Sequence, residues 1–123
     1  MPIHLTIDQE QRTVTGVSSG EVTLHDFEAY FEAIASAGAN HYRKLFDGTE
    51  GTSSLTEEEV LSLGARIRGY HLTGPMGPLA IVMGPVQSDT FARVLGALAA
   101  ADRPMRLFGS VRAARRWLER QEG

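Results

Sequence analysis

Residues 79–84, LAIVMG, contain no polar side chain. A strand with one solvated face alternates apolar and polar residues, so this run is expected in a central strand covered on both faces. Such strands belong to sheets joined by helical crossovers. The segments around the run have the periods that this architecture needs.

Toward the N-terminus, Ile3, Leu5 and Ile7 alternate with His4, Thr6 and Asp8, the period of a half-buried strand. DQEQ turns the chain, and RTVTGVSSG, with Val14 and Val17, pairs back as an antiparallel hairpin in which Gly16 marks a bulge. From Thr23 the period becomes helical, with Phe27, Tyr30, Phe31 and Ile34 on one stripe, Thr23 as cap, Asp26 near the positive dipole end and Gly38 at the C-terminal glycine position. YRKLFD reads as a short third strand. Thr56 and Glu59 then match a capping box opening a second helix, with Val60, Leu63, Gly64 and Ile67 inward and Glu58 and Arg66 solvated, and GPMGP ends that unit.

After LAIVMG, Ser88 caps a third helix striped by Phe91, Val94, Leu95 and Leu98. PMRLFG supplies a last short strand, and Ser110 opens a fourth helix with Val111, Ala114 and Leu118 inward and Trp117 at the flank. The order β-β-α-β-α-β-α-β-α predicts a single α/β domain over residues 1–123, with four helices on a mostly parallel sheet whose only antiparallel pair is the N-terminal hairpin.

This element order, YRKLFD followed by a loop and the LTEEEV helix, LAIVMG, and the ending LFGSVRAARRWLE resemble the STAS family, in particular the small bacterial SpoIIAA-like proteins. The resemblance implies a cytoplasmic regulatory or protein-interaction module rather than an enzyme. In the anti-sigma antagonist branch a phosphorylatable Ser or Thr sits in an Asp-Ser-Ser-Gly-like turn after the third strand. Here Asp47 holds the matching strand end, but Gly48-Thr49-Glu50-Gly51 intervene before Thr52-Ser53-Ser54. The uncharacterised branch, linked by fold to CRAL-TRIO lipid-transfer domains, is the nearer resemblance.

Charge and motif content narrow the chemistry. With 12 basic and 15 acidic residues the chain carries −3, which argues against the clustered basic surface that nucleic-acid binding requires. It has no cysteine, consistent with a reducing compartment such as the cytoplasm, and neither a signal-peptide pattern nor an apolar run long enough for membrane insertion. His4, His25, His41 and His71 lack metal-ligand spacing, no Gly-x-Ser-x-Gly elbow exists, and the prolines of GPMGP remove the NH donors a phosphate cradle needs. Lys44, the only lysine, is misplaced for a phospho-accepting receiver domain. No cofactor, metal or catalytic group is expected.

Open parallel sheets bind ligands at the carboxyl ends of their strands, where three turns should converge: Asp47 to Thr56, Gly84 to Asp89, and Gly109 to Ser110. The candidate binding residues are therefore Asp47, Thr52, Ser53, Ser54, Thr56, Ser88 and Ser110, of which Thr56, Ser88 and Ser110 are also explained as helix caps and Asp47 as a turn residue. The leading expectation is a protein partner docking at the turn after Asp47 and the second helix, with phosphorylation at Ser53 or Ser54 weakening it through Glu57, Glu58 and Glu59. The alternative is a small apolar or anionic ligand, or a lipid, held between sheet and helices. Arg112, Arg115, Arg116 and Arg120 form a cationic ridge that complements the acidic run at 57–59, either within the molecule or in a homodimer.

Overall fold

The computed structural model describes residues 2–52, 55–84 and 103–121. Five strands form one sheet: β1 (Ile3–Asp8), β2 (Thr13–Glu21), β3 (Arg43–Thr52), β4 (Leu79–Val82) and β5 (Met105–Phe108). They lie side by side in chain order, with β1 antiparallel to β2 and every later pair parallel. Helix α1 (Leu24–Ser36) joins β2 to β3, α2 (Glu57–Thr73) joins β3 to β4, and α3 (Val111–Glu119) follows β5. The described residues thus contain three helices, so the expected count of four does not match; the helix expected after Ser88 lies outside them.

Strand alternation divides the core. Val14, Phe46, Leu79 and Ile81 face α1 and α2, where they meet Phe27, Tyr30, Ile34, Leu63 and Ile67. Leu45, Ala80 and Val82 point the other way, onto Ala114 and Leu118 of α3. All four residues of β4 are buried, because β4 is sandwiched as its apolar run requires. Toward β1 and β2 the α3 face is an open, polar groove lined in part by Thr6, Asp8, Thr13 and Thr15.

The helix ends are built as the sequence suggests. Thr23 and Thr56 each form a capping box, with Asp26 and Glu59 respectively, and Ser110 accepts from the Ala113 backbone NH at 3.2 Å. Gly38, at φ 68°, closes α1: its NH donates to the Ala35 carbonyl while the Ala39 NH donates to the Ile34 carbonyl, both at 3.0 Å. Removing the Thr56 hydroxyl by Thr56→Ala should cost about 1 kcal/mol, read as a small fall in melting temperature that Thr56→Ser does not reproduce.

Three local expectations change. Gly16 is not a bulge, since β1 and β2 stay in register through Leu5 and Gly16; its bare Cα instead admits the Tyr30 ring, which an added Cβ would meet at 2.8 Å. The irregularity lies on the other side of β2, where the β2–β3 register slips between Val17 and Ser19. The third strand is longer than YRKLFD, because beyond Asp47 it keeps pairing with β2 through Thr52 after β4 has ended. Arg66 is half-buried, its guanidinium 3.3 Å from Glu28 and 3.8 Å from Glu32, and so ties α2 to α1.

Candidate functional site

Among the described residues, Asp47, Thr56 and Ser110 spend their polar atoms on local partners. Asp47 lies within β3 opposite Val17, where its Oδ1 accepts from the Thr49 backbone NH (3.1 Å) and hydroxyl (2.7 Å), a local turn made where the register slips. Thr52 is five residues further along the strand, about 16 Å away at the usual rise. Thr56 and Ser110 direct their hydroxyls at their own helix N-termini, leaving the cap roles in place. Ser53, Ser54 and Ser88 lie outside the described residues.

The polar chemistry concentrates at the opposite, amino-terminal end of the parallel strands. Lys44 is the second residue of β3 and shares the α1–α2 face with Phe46, so its side chain enters the core, where only 4% of it is exposed. Its Nζ donates to the backbone carbonyls of Asn40, in a short contact, and Tyr42, at 2.8 Å. Arg103 approaches from the segment before β5 and Tyr30 from α1. The Tyr30 hydroxyl and the Arg103 Nε are buried without a hydrogen-bond partner.

These three side chains line one cavity between the sheet and the two crossover helices. Among the described residues the remaining wall is apolar apart from Asn40, drawn from residues such as Phe27, Phe31, Phe46, Leu63, Leu79 and Ile81. Among the described residues no carboxylate lines it. Burial, and secondarily the Arg103 charge, lowers Lys44 to about 7. Burial lowers Arg103 to about 10, a shift that Tyr30 opposes, and raises the Tyr30 phenol above its ordinary value.

The surfaces expected to attract a partner are also defined. On α2, Leu61 and Leu72 are 71% and 86% exposed, and they share an outward ridge with Ala65 and Arg68. On α3, Arg112, Arg115, Arg116 and Arg120 are exposed, while Trp117 is half-buried against Phe108, with ring centroids 5.7 Å apart. The α3 arginines and the acidic start of α2 lie on helices that pack opposite faces of the sheet, and no ion pair joins them among the described residues.

No protein-family profile matches the sequence, and no curated protein matches it. Among solved structures the chain is similar to an uncharacterised protein from the DUF3478 family with a SpoIIAA-like fold, from Shewanella loihica PV-4. The TM-score is 0.59 at 24% identity, over 94% of this chain and 91% of that one. The fold is SpoIIAA-like. That agrees with the architecture expected from the element order and the LFGSVRAARRWLE ending. Within this SpoIIAA-like chain, Lys44, Arg103 and Tyr30 escaped the sequence reading, although one signal was present. A lysine two residues before Phe46 in the same strand occupies the same face, and that face is core.

No helix among the described residues is long and apolar enough to cross a membrane.

Proposed function

We propose that this SpoIIAA-like chain is a non-catalytic regulatory or interaction module that works by holding a small ligand between its sheet and its crossover helices. The observation that carries this reading is the apolar cavity into which two cations and an unpartnered phenol project, with no carboxylate among the described lining residues. Structures that bury charge normally pair it, because an unpaired buried ion costs several kcal/mol, roughly, after relaxation. A cavity that keeps Lys44 and Arg103 together with no acid among the described residues suits something brought in from outside.

A second reading, docking of a protein partner on α2, is favoured by a different observation. Leu61 and Leu72 are exposed far beyond what packing of α2 on the sheet requires, and they flank Ala65 on one ridge. Thr52, at the exposed end of β3, remains within reach of a modifying enzyme in this reading.

One experiment separates the two. Native mass spectrometry of the purified wild type is expected to show a retained small-molecule adduct that Lys44→Met loses and Leu61→Asp/Leu72→Asp keeps. An adduct-free wild type that captures a partner only while Leu61 and Leu72 are intact would replace the first reading by the second.

A further inference from the structure

One edge of the sheet ends on an unprotected strand. β1 pairs with β2 in unbroken register from Ile3 to Asp8, and no strand among the described residues lies on its outer side. The Ser19 NH donates to the Pro2 carbonyl at 2.7 Å, which sets the parity of the ladder. Residues 2, 4, 6 and 8 direct their backbone groups to β2, so Ile3, Leu5 and Ile7 turn their NH and carbonyl groups outward. Such an edge is normally blunted by a bulge, a proline, a lysine or extreme shortness. β1 has six residues and none of these devices within it, whereas β5, at the opposite edge, has four with Arg106 among them.

The side chains of β1 are self-complementary. Leu5 and Ile7 lie on the helix side and are only half-buried, while His4, Thr6 and Asp8 are exposed on the other face. When the strand is laid antiparallel on itself about Thr6, Leu5 falls opposite Ile7, Thr6 opposite Thr6 and His4 opposite Asp8. Leu5 and Ile7 carry the outward backbone groups, so each such pair exchanges two hydrogen bonds. His4 and Asp8 then form non-hydrogen-bonded pairs, the kind whose side chains come closest. Asp8 uses Oδ1 on the Gln11 NH at 2.9 Å, which leaves Oδ2 for the imidazole. Centring the pairing on Leu5 instead would set Asp8 against Pro2, which offers it no donor.

We propose that the outer edge of β1 binds the β1 edge of a second copy of this chain, antiparallel about a two-fold axis at Thr6, so that the sheet continues from one molecule into the other. The complementarity of His4 with Asp8 and of Leu5 with Ile7 selects that occupant and that register. This edge is separate from both the cavity and the α2 ridge, and depends on neither reading above. The polar groove on the α3 face, about 400 Å³ in volume, is lined in part by Thr6 and Asp8 and so reaches the same edge. Pairing joins the grooves of the two copies into one trough across the axis, with Arg115 of α3 on either side.

The chain has no cysteine, so Thr6→Cys places a single thiol at the two-fold axis. Strand residues opposed in this way have Cα atoms about 4.5 Å apart, within reach of a disulfide. Under a mild oxidant Thr6→Cys is expected to run as a cross-linked dimer on a non-reducing gel, and Leu72→Cys, on the exposed α2 ridge, as a monomer. Sedimentation velocity at rising concentration reads the non-covalent equilibrium. The wild type should dimerise, and Thr6→Lys, which opposes two ammonium groups at the axis, should weaken the dimer about 10-fold or more. His4→Asp, which sets carboxylate against carboxylate, should weaken it in the same direction. Both positions are exposed, so both variants should keep the wild-type melting temperature. Cross-linking at Leu72 as fast as at Thr6, or a dimer indifferent to Thr6→Lys and His4→Asp, would overturn the assignment to β1. A monomer at every concentration would overturn self-pairing altogether.

Discussion

Gly77→Ala is expected to lower the melting temperature by roughly 10 °C, corresponding to roughly 3 kcal/mol for a domain of this size. Gly77 packs directly on the 40–42 turn, where its NH donates to the Asn40 carbonyl at 2.9 Å and an added Cβ would run into the carbonyls of His41 and Tyr42. Both sides of that contact are backbone, so neither can swing aside as a side-chain end would. The same carbonyls of Asn40 and Tyr42 hold Lys44, so the strain passes into the polar end of the cavity. Gly69→Ala is the control: Gly69 is exposed within α2, a Cβ there meets nothing within 4 Å, and helix propensity predicts a gain of up to about 1 kcal/mol. Differential scanning calorimetry of the two variants checks the contrast. Equal melting temperatures would show that the turn yields freely.

The second large effect is a pH-dependent one at Lys44. Its folded-state value lies near 7 and its ordinary value is 10.5, so below about pH 6 the amine is charged in both states and the full burial penalty is present. Between those two values the unfolded chain binds more protons than the folded one, and stability therefore rises with pH. Integrated over the window, the change amounts to roughly 5 kcal/mol. Arg103, lowered to about 10, and Tyr30, raised, act above this range, which leaves about pH 6 to 9.5 to Lys44. Lys44→Met should accordingly be more stable than wild type at about pH 6, by roughly 1–3 kcal/mol once the lost bonds to Asn40 and Tyr42 are subtracted. That advantage should shrink steadily toward about pH 9.5. Urea denaturation at several pH values measures it, and a difference between the proteins that stays constant across the range would mean that Lys44 titrates normally.

The two variants bear on what the sequence could reveal. Features governed by local periodicity were legible: the Phe27–Tyr30–Ile34 stripe, the Thr23 and Thr56 caps, the buried run of β4 and the inward Ala114 and Leu118 all follow from spacing alone. What failed depends on contacts between distant segments. Gly16 looked like a bulge because a strand glycine has two uses, and only the arrival of Tyr30 from α1 decides between them. The end of β3 was misplaced because Gly48-Thr49-Glu50-Gly51 has loop composition, yet β2 is long enough to keep pairing with it. Gly77 sat in a glycine- and proline-rich stretch that reads as punctuation, and its close approach to the 40–42 turn is invisible without the fold.

The sequence reading looked for a site at the other edge of the sheet. The expectation that ligands sit at strand carboxyl ends directed attention to hydroxyl-rich turns, whose donors and acceptors the structure uses for caps and for the Asp47–Thr49 turn. Lys44 was weighed only against receiver chemistry. As the only lysine in the chain, placed on a core face, it carried the stronger signal.

The order of the strands bears on how the chain is made. Because β1 to β5 lie side by side in the order of synthesis, each strand adds to the edge left by the one before, and none must be threaded between two already paired. Among the described pairings the β1–β2 hairpin is the local one, and α1 follows it directly, so Tyr30 can reach Gly16 before β3 has docked. A nascent chain can thus settle progressively from its N-terminus, exposing one growing edge at a time, and the strand that carries Lys44 reaches a surface already walled by α1.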